Sequence, residues 1–77
     1  MKRELFIIAR DIRKDWKNPS PHAIPYIDAM EHLRTVEDNF FFDSGEEIVL
    51  RFLSNASTWR GEIARKIKKE LKSLVNY

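Results

Sequence analysis

Between Leu5 and Trp16 apolar side chains recur at Leu5, Ile8, Ala9, Ile12 and Trp16. At 100° per residue these fall on one narrow stripe, the mark of an amphipathic helix. Arg10, Arg13 and Lys14 lie on the other side, while Phe6 and Ile7 fall outside the stripe and predict contact with more than one neighbour. The pattern predicts a helix over about residues 3–17. Pro19 ends it, because a proline disfavours helical geometry in the residue before it. Asn18-Pro19-Ser20-Pro21 then reads as a short, stiff turn.

Pro25 suits the first turn of a second helix, over about 24–34, where its missing N–H costs nothing. Tyr26, Ala29, Met30 and Leu33 share one face of it, with Asp28, Glu31 and His32 opposite. Val36 to Asn39, followed by Phe40-Phe41-Phe42, has no period and reads as an irregular connection. Ser44 with Glu47 three residues on is a capping-box pattern, and it opens a third helix over about 45–56. Ile48, Val49, Leu50, Phe52, Leu53 and Ala56 fill most of its wheel, leaving a thin polar edge of Glu47, Arg51 and Ser54. A helix apolar nearly all round belongs at the centre. Ser57 is a suitable N-cap for a last helix over about 58–75. Its apolar arc holds Trp59, Ile63, Ala64, Ile67, Leu71, Leu74 and Val75, and Arg65, Lys68, Lys69 and Lys72 lie on the far side. The expected fold is an all-α, single-domain bundle of four helices.

Composition narrows the chemistry. A chain of 77 residues leaves room for one domain, since two cores would each be too small to persist. There is no cysteine, hence no disulfide, thiolate metal site or cysteine nucleophile. Two glycines leave no phosphate-cradling loop. No apolar run approaches the roughly 18–20 residues of a membrane span, which points to a small soluble, cytoplasmic protein without membrane contact. The net charge is +2, but it is unevenly spread. Residues 1–17 and 59–77 are each rich in Lys and Arg, whereas residues 22–47 hold Arg34 against Asp28, Glu31, Glu37, Asp38, Asp43, Glu46 and Glu47. Either the ends pair with the middle in the folded chain, or they form a basic face for an anionic partner.

No catalytic arrangement emerges. Asp28 and His32 form an i, i+4 pair that surface electrostatics explains, and Asp11 with Asp15 would need further oxygens to hold a cation. No cofactor or metal is implied. Arg65, Lys68, Lys69 and Lys72 could neutralise about four phosphates, although lysines near a helix C-terminus also favour the helix dipole. The helix–turn–helix order invites comparison with DNA readers, in which Ser57, Thr58 and Arg60 would enter the major groove from a recognition helix. Arg60 falls at the centre of the last helix's apolar arc, where either its place in the first turn carries it past the end of the core or a salt bridge to an acid such as Asp43 or Glu47 accounts for it. Phe40, Phe41 and Phe42 cannot all be buried beside Asp38 and Asp43; one or two plug the core, and an exposed one marks a partner or homodimer surface.

The stretches Ile8-Ala9-Arg10-Asp11-Ile12-Arg13-Lys14-Asp15-Trp16, Ala23-Ile24-Pro25-Tyr26-Ile27-Asp28-Ala29-Met30 and Phe52-Leu53-Ser54-Asn55-Ala56-Ser57-Thr58-Trp59-Arg60-Gly61-Glu62 resemble a family of small proteins encoded by bacteriophages and prophages. The resemblance covers nearly the whole chain, with Asp43-Ser44-Gly45 between the second and third stretches. The family carries no activity or ligand to transfer, so the resemblance implies a viral setting inside a bacterial host and no mechanism. The expected function is therefore that of a small non-enzymatic protein engaging a host or viral protein. The alternative is a nucleic-acid-binding module working through Arg60, Arg65, Lys68, Lys69 and Lys72.

Overall fold

The computed structural model describes residues 2–75. Its elements are α1 (Leu5–Asp15), α2 (Ile24–Met30), β1 (Asn39–Phe40), β2 (Asp43–Ser44), α3 (Gly45–Ser54) and α4 (Glu62–Leu74). The four expected helices are present. The fold is mostly helical rather than strictly all-α, because β1 and β2 pair as an antiparallel hairpin where an irregular connection was expected.

The α1 stripe is buried as its period predicts: Leu5, Ile8, Ala9 and Ile12 are fully enclosed. Phe6 and Ile7 are half-buried. Pro25 sits in the first turn of α2, but the helix stops at Met30 rather than Arg34. The next bonds tighten to three residues, with His32 N donating to Ala29 O (3.0 Å) and Leu33 N to Met30 O (3.1 Å). This turn lets the 33–34 carbonyls meet α1, where Phe6 N donates to Leu33 O and Leu5 N to Arg34 O. The first N–H groups of a helix have no partner inside it, so the strand of chain after α2 serves as the cap of α1. Leu33 stays buried despite leaving the helix, and Ile27 takes the core position that the wheel had given to half-buried Tyr26.

Ser44 caps α3 as predicted, its hydroxyl accepting from Glu47 N at 3.2 Å. The start of α4 departs from the sequence reading. It begins at Glu62, with Gly61 at the cap position and Ser57 four residues away in a loop. Trp59 explains the change. Its ring is buried, stacked on Trp16 (centroids 5.6 Å, planes 8° apart) with the edge of Phe52 against both. Seating that ring holds residues 55–61 as a loop, and Gly61 at φ +113° makes the turn into α4 in backbone that other residues rarely adopt. Arg60 therefore lies exposed on the loop, not in an apolar arc, and Ile63 is left 46% exposed.

Contacts run α1 to α2, α2 to α3, α3 to α4 and α4 back to α1, so the helices close a ring around one buried cluster. Among the described residues no helix is long and apolar enough to cross a membrane.

Candidate functional site

Two surfaces stand out, one aromatic and one basic. The first is the hairpin. Asn39 faces Ser44 and Phe40 faces Asp43, so Phe41 and Phe42 form a two-residue turn. Phe41 is at φ +58°, the one non-glycine with positive φ among the described residues. Positive φ at the first central position is the sign pattern of a type II′ turn, which glycine normally occupies. A residue with a Cβ there costs about 1–2 kcal/mol. Burial does not offset it, since Phe41 is 84% and Phe42 103% exposed. Phe40 alone turns inward: it is half-buried and stacks on His32 at 5.5 Å, with Phe41 edge-on to it at 4.7 Å.

The base of the hairpin is firmly fixed. Gly45 N donates to Asp38 O (2.7 Å) and Glu46 N to Val36 O (2.9 Å). The Asp38 carboxylate accepts from Arg34 N (3.0 Å) and Thr35 N (3.2 Å). Gly45 lies so close to residues 35–36 that a Cβ there would come within 2.7 Å of Thr35 O. The chain around the tip is acidic: between Thr35 and Leu50 stand Glu37, Asp38, Asp43, Glu46 and Glu47 and no Lys or Arg. Arg51, one residue beyond, binds Glu47 at 2.8 Å. Its guanidinium is held above its ordinary value by Glu47 and, to a smaller degree, Asp43.

The second surface is the outer side of α4. Arg65, Lys69 and Lys72 are exposed along it, and exposed Arg60 adjoins it on the loop. Lys68 differs from the other three. It is half-buried, and its Nζ donates to Ala56 O and Trp59 O, both at 2.7 Å, while lying 5.9 Å from the centre of a Trp59 ring. Partial burial pulls its pKa below the ordinary lysine value, with the charges of Lys72 and Arg60 adding to the effect. Lys68 is thus a strut of the 55–61 loop, a role the helical wheel could not show. The recognition-helix reading fails on the same loop, because Ser57, Thr58 and Arg60 precede α4 instead of forming its first turn. The salt bridge expected of Arg60 is absent too: among the described residues no carboxylate pairs with it.

The remaining candidates are absorbed by the fold. Asp11 binds Arg3 at 2.6 Å and Asp15 accepts the Trp59 indole N–H at 2.8 Å. Asp28 is paired with Arg13, and His32 stacks on Phe40. Among the described residues no three His, Asp or Glu side chains converge as metal ligands would. An open groove of about 500 Å³ between α1 and α4 is lined by Ile63 and Ile67 with Arg3, Lys14, Lys66 and three carboxylates, a set with no charge preference. Neither a family model, nor a curated protein, nor a solved structure matches this chain.

Proposed function

We propose that the chain is a non-enzymatic binding protein whose hairpin tip, Phe41 and Phe42, docks into an apolar pocket of a protein partner. One observation carries the reading: two phenylalanines stand almost fully in water, one of them in strained backbone, on a base made rigid by hydrogen bonds. Strained positions persist where function retains them. Rigid aromatic anchors are also the side chains that dominate binding energy at interfaces. The acidic surroundings disfavour a phosphate-bearing surface as the target of this tip and favour a pocket rimmed by Lys or Arg. The resemblance of the sequence to phage and prophage proteins makes a bacterial-host or viral protein the partner to look for, and a second copy of the chain is the competing occupant.

A photo-crosslinking amino acid at Phe42, with Ser73 as the control position, would be exposed to lysate of phage-infected bacteria. A protein joined at position 42 and not at 73 should then bind the purified wild-type chain. It should lose at least about 30-fold in affinity to Phe41→Ser/Phe42→Ser, the cost of roughly 2 kcal/mol that defines an interface anchor. A captured protein that binds the double variant equally well overturns the reading. Self-association that the variant abolishes, read by sedimentation, would make the partner a second copy.

A further inference from the structure

The pairing of charges within the chain leaves exposed cations near both ends: Lys2, Arg10, Lys14 and Lys17 are scattered at one, and at the other the unpaired ones are gathered on one helix and the loop before it. Arg3 is held by Asp11 and Glu70, Arg13 by Asp28 and Glu31, Arg34 by Glu4, Arg51 by Glu47, and Lys66 by Glu62. Of the two carboxylates of α4, Glu70 is engaged by Arg3 and the exposed Glu62 by Lys66. From Ile48 to Gly61 the chain has no acid at all. Arg60, Arg65 and Lys69 have no carboxylate partner among the described residues, and Lys72 lies beside them on the helix. The Lys68 strut fixes the Arg60 loop against α4, so the position of this cluster is set by the fold.

We infer that this face, Arg60, Arg65, Lys69 and Lys72, is a second binding site that takes the phosphate backbone of a nucleic-acid duplex. From Arg65 through Lys69 to Lys72 is seven helical steps, about 10 Å of helix axis. Over that length one strand of B-DNA presents about three phosphates at 3.4 Å rise. A duplex fits better than a single strand, because single-strand sites stack bases on exposed aromatic rings and the ring nearest this face, Trp59, is buried. Ser57 and Thr58 are exposed at its edge and add hydroxyls that suit phosphate oxygens. With no helix N-terminus presenting side chains to a groove, contact is to the backbone and independent of sequence. The inference is separate from the hairpin, which carries the opposite charge.

Fluorescence anisotropy with a labelled 20-base-pair random DNA duplex tests it. Four phosphate contacts predict an affinity falling about 150-fold between 50 and 200 mM salt, from a slope of about −0.9 per contact. Arg65→Gln/Lys69→Gln should halve that slope, to about a 12-fold change, and Phe41→Ser/Phe42→Ser should leave both affinity and slope unchanged. No binding at 50 mM salt overturns the inference. So does binding whose salt slope survives Arg65→Gln/Lys69→Gln, since the contacts then lie elsewhere. Tighter binding to single strands than to the duplex overturns the duplex assignment.

Discussion

At Phe41 two effects of similar size oppose each other, and their difference is measurable. The left-handed backbone costs about 1–2 kcal/mol with a Cβ present, while an edge-on contact such as that with Phe40 contributes about 0.5–1.5 kcal/mol and less when mostly in water. Asparagine tolerates positive φ because its short polar side chain bonds locally. Phe41→Asn should therefore leave thermal stability unchanged or raise it by up to about 1 kcal/mol while abolishing partner binding. A loss of more than 1 kcal/mol in urea unfolding would mean that Phe41 is there for the fold. The sequence shows three consecutive phenylalanines and the acids around them, enough to see that not all could be buried. It does not show which one turns inward. That choice rests on a two-residue strand pair too short for alternation to register, and on His32 arriving beneath Phe40 from the end of α2.

At the scale of elements the periodic helices were legible and their junctions were not. The stripe of α1 falls where a period of 3.6 puts it, whereas α3, read as apolar nearly all round, buries Ile48, Val49 and Phe52 and leaves Leu50 and Leu53 half-buried. The end of α2 and the start of α4 are decided by contacts distant in sequence, respectively the capping of α1 and the seating of Trp59. Lys68 marks the second junction. Its two bonds to loop carbonyls leave both acceptors short of a partner in Lys68→Met, at a cost of about 1–2 kcal/mol for charge-assisted bonds at a half-buried site. The pH dependence has a definite sign. Folding lowers the Lys68 pKa, so the unfolded chain holds that proton more tightly. The penalty is fully present at neutral pH and is lifted as pH climbs from the lowered folded value to the unfolded 10.5. The stability difference between wild type and Lys68→Met should accordingly widen as pH rises toward 10.5. A difference that narrows there would show that the charge of Lys68, not its geometry, holds the loop.

For the whole molecule, the basic ends pair with the chain's acids only in part. Of the N-terminal cations, Arg3 and Arg13 are used internally, whereas Lys2, Arg10, Lys14 and Lys17 are exposed and have no carboxylate partner among the described residues. Arg3 forks onto α1 and α4 and is raised above its ordinary value first by its bonds to Glu70 and Asp11. Arg13 reaches two acids, Asp28 of α2 and Glu31 just past its end. Arg65 and Lys69 of α4 have no carboxylate partner among the described residues, and their like charges repel. This predicts opposite outcomes for substitutions that remove the same kind of charge. Arg3→Gln should cost up to about 1 kcal/mol, as partly exposed ion pairs do, and the loss should shrink in 0.5 M salt. Arg65→Gln/Lys69→Gln should cost nothing and at low salt should gain up to about 0.5 kcal/mol, because each lies on a helix face where like-charge neighbours destabilise. A fall of more than 1 kcal/mol in the double variant would assign those cations to the fold and remove the reason for reading them as a binding face. If instead stability holds and duplex binding is lost, the charges are kept against the stability of the chain, as Phe41 is at the hairpin tip.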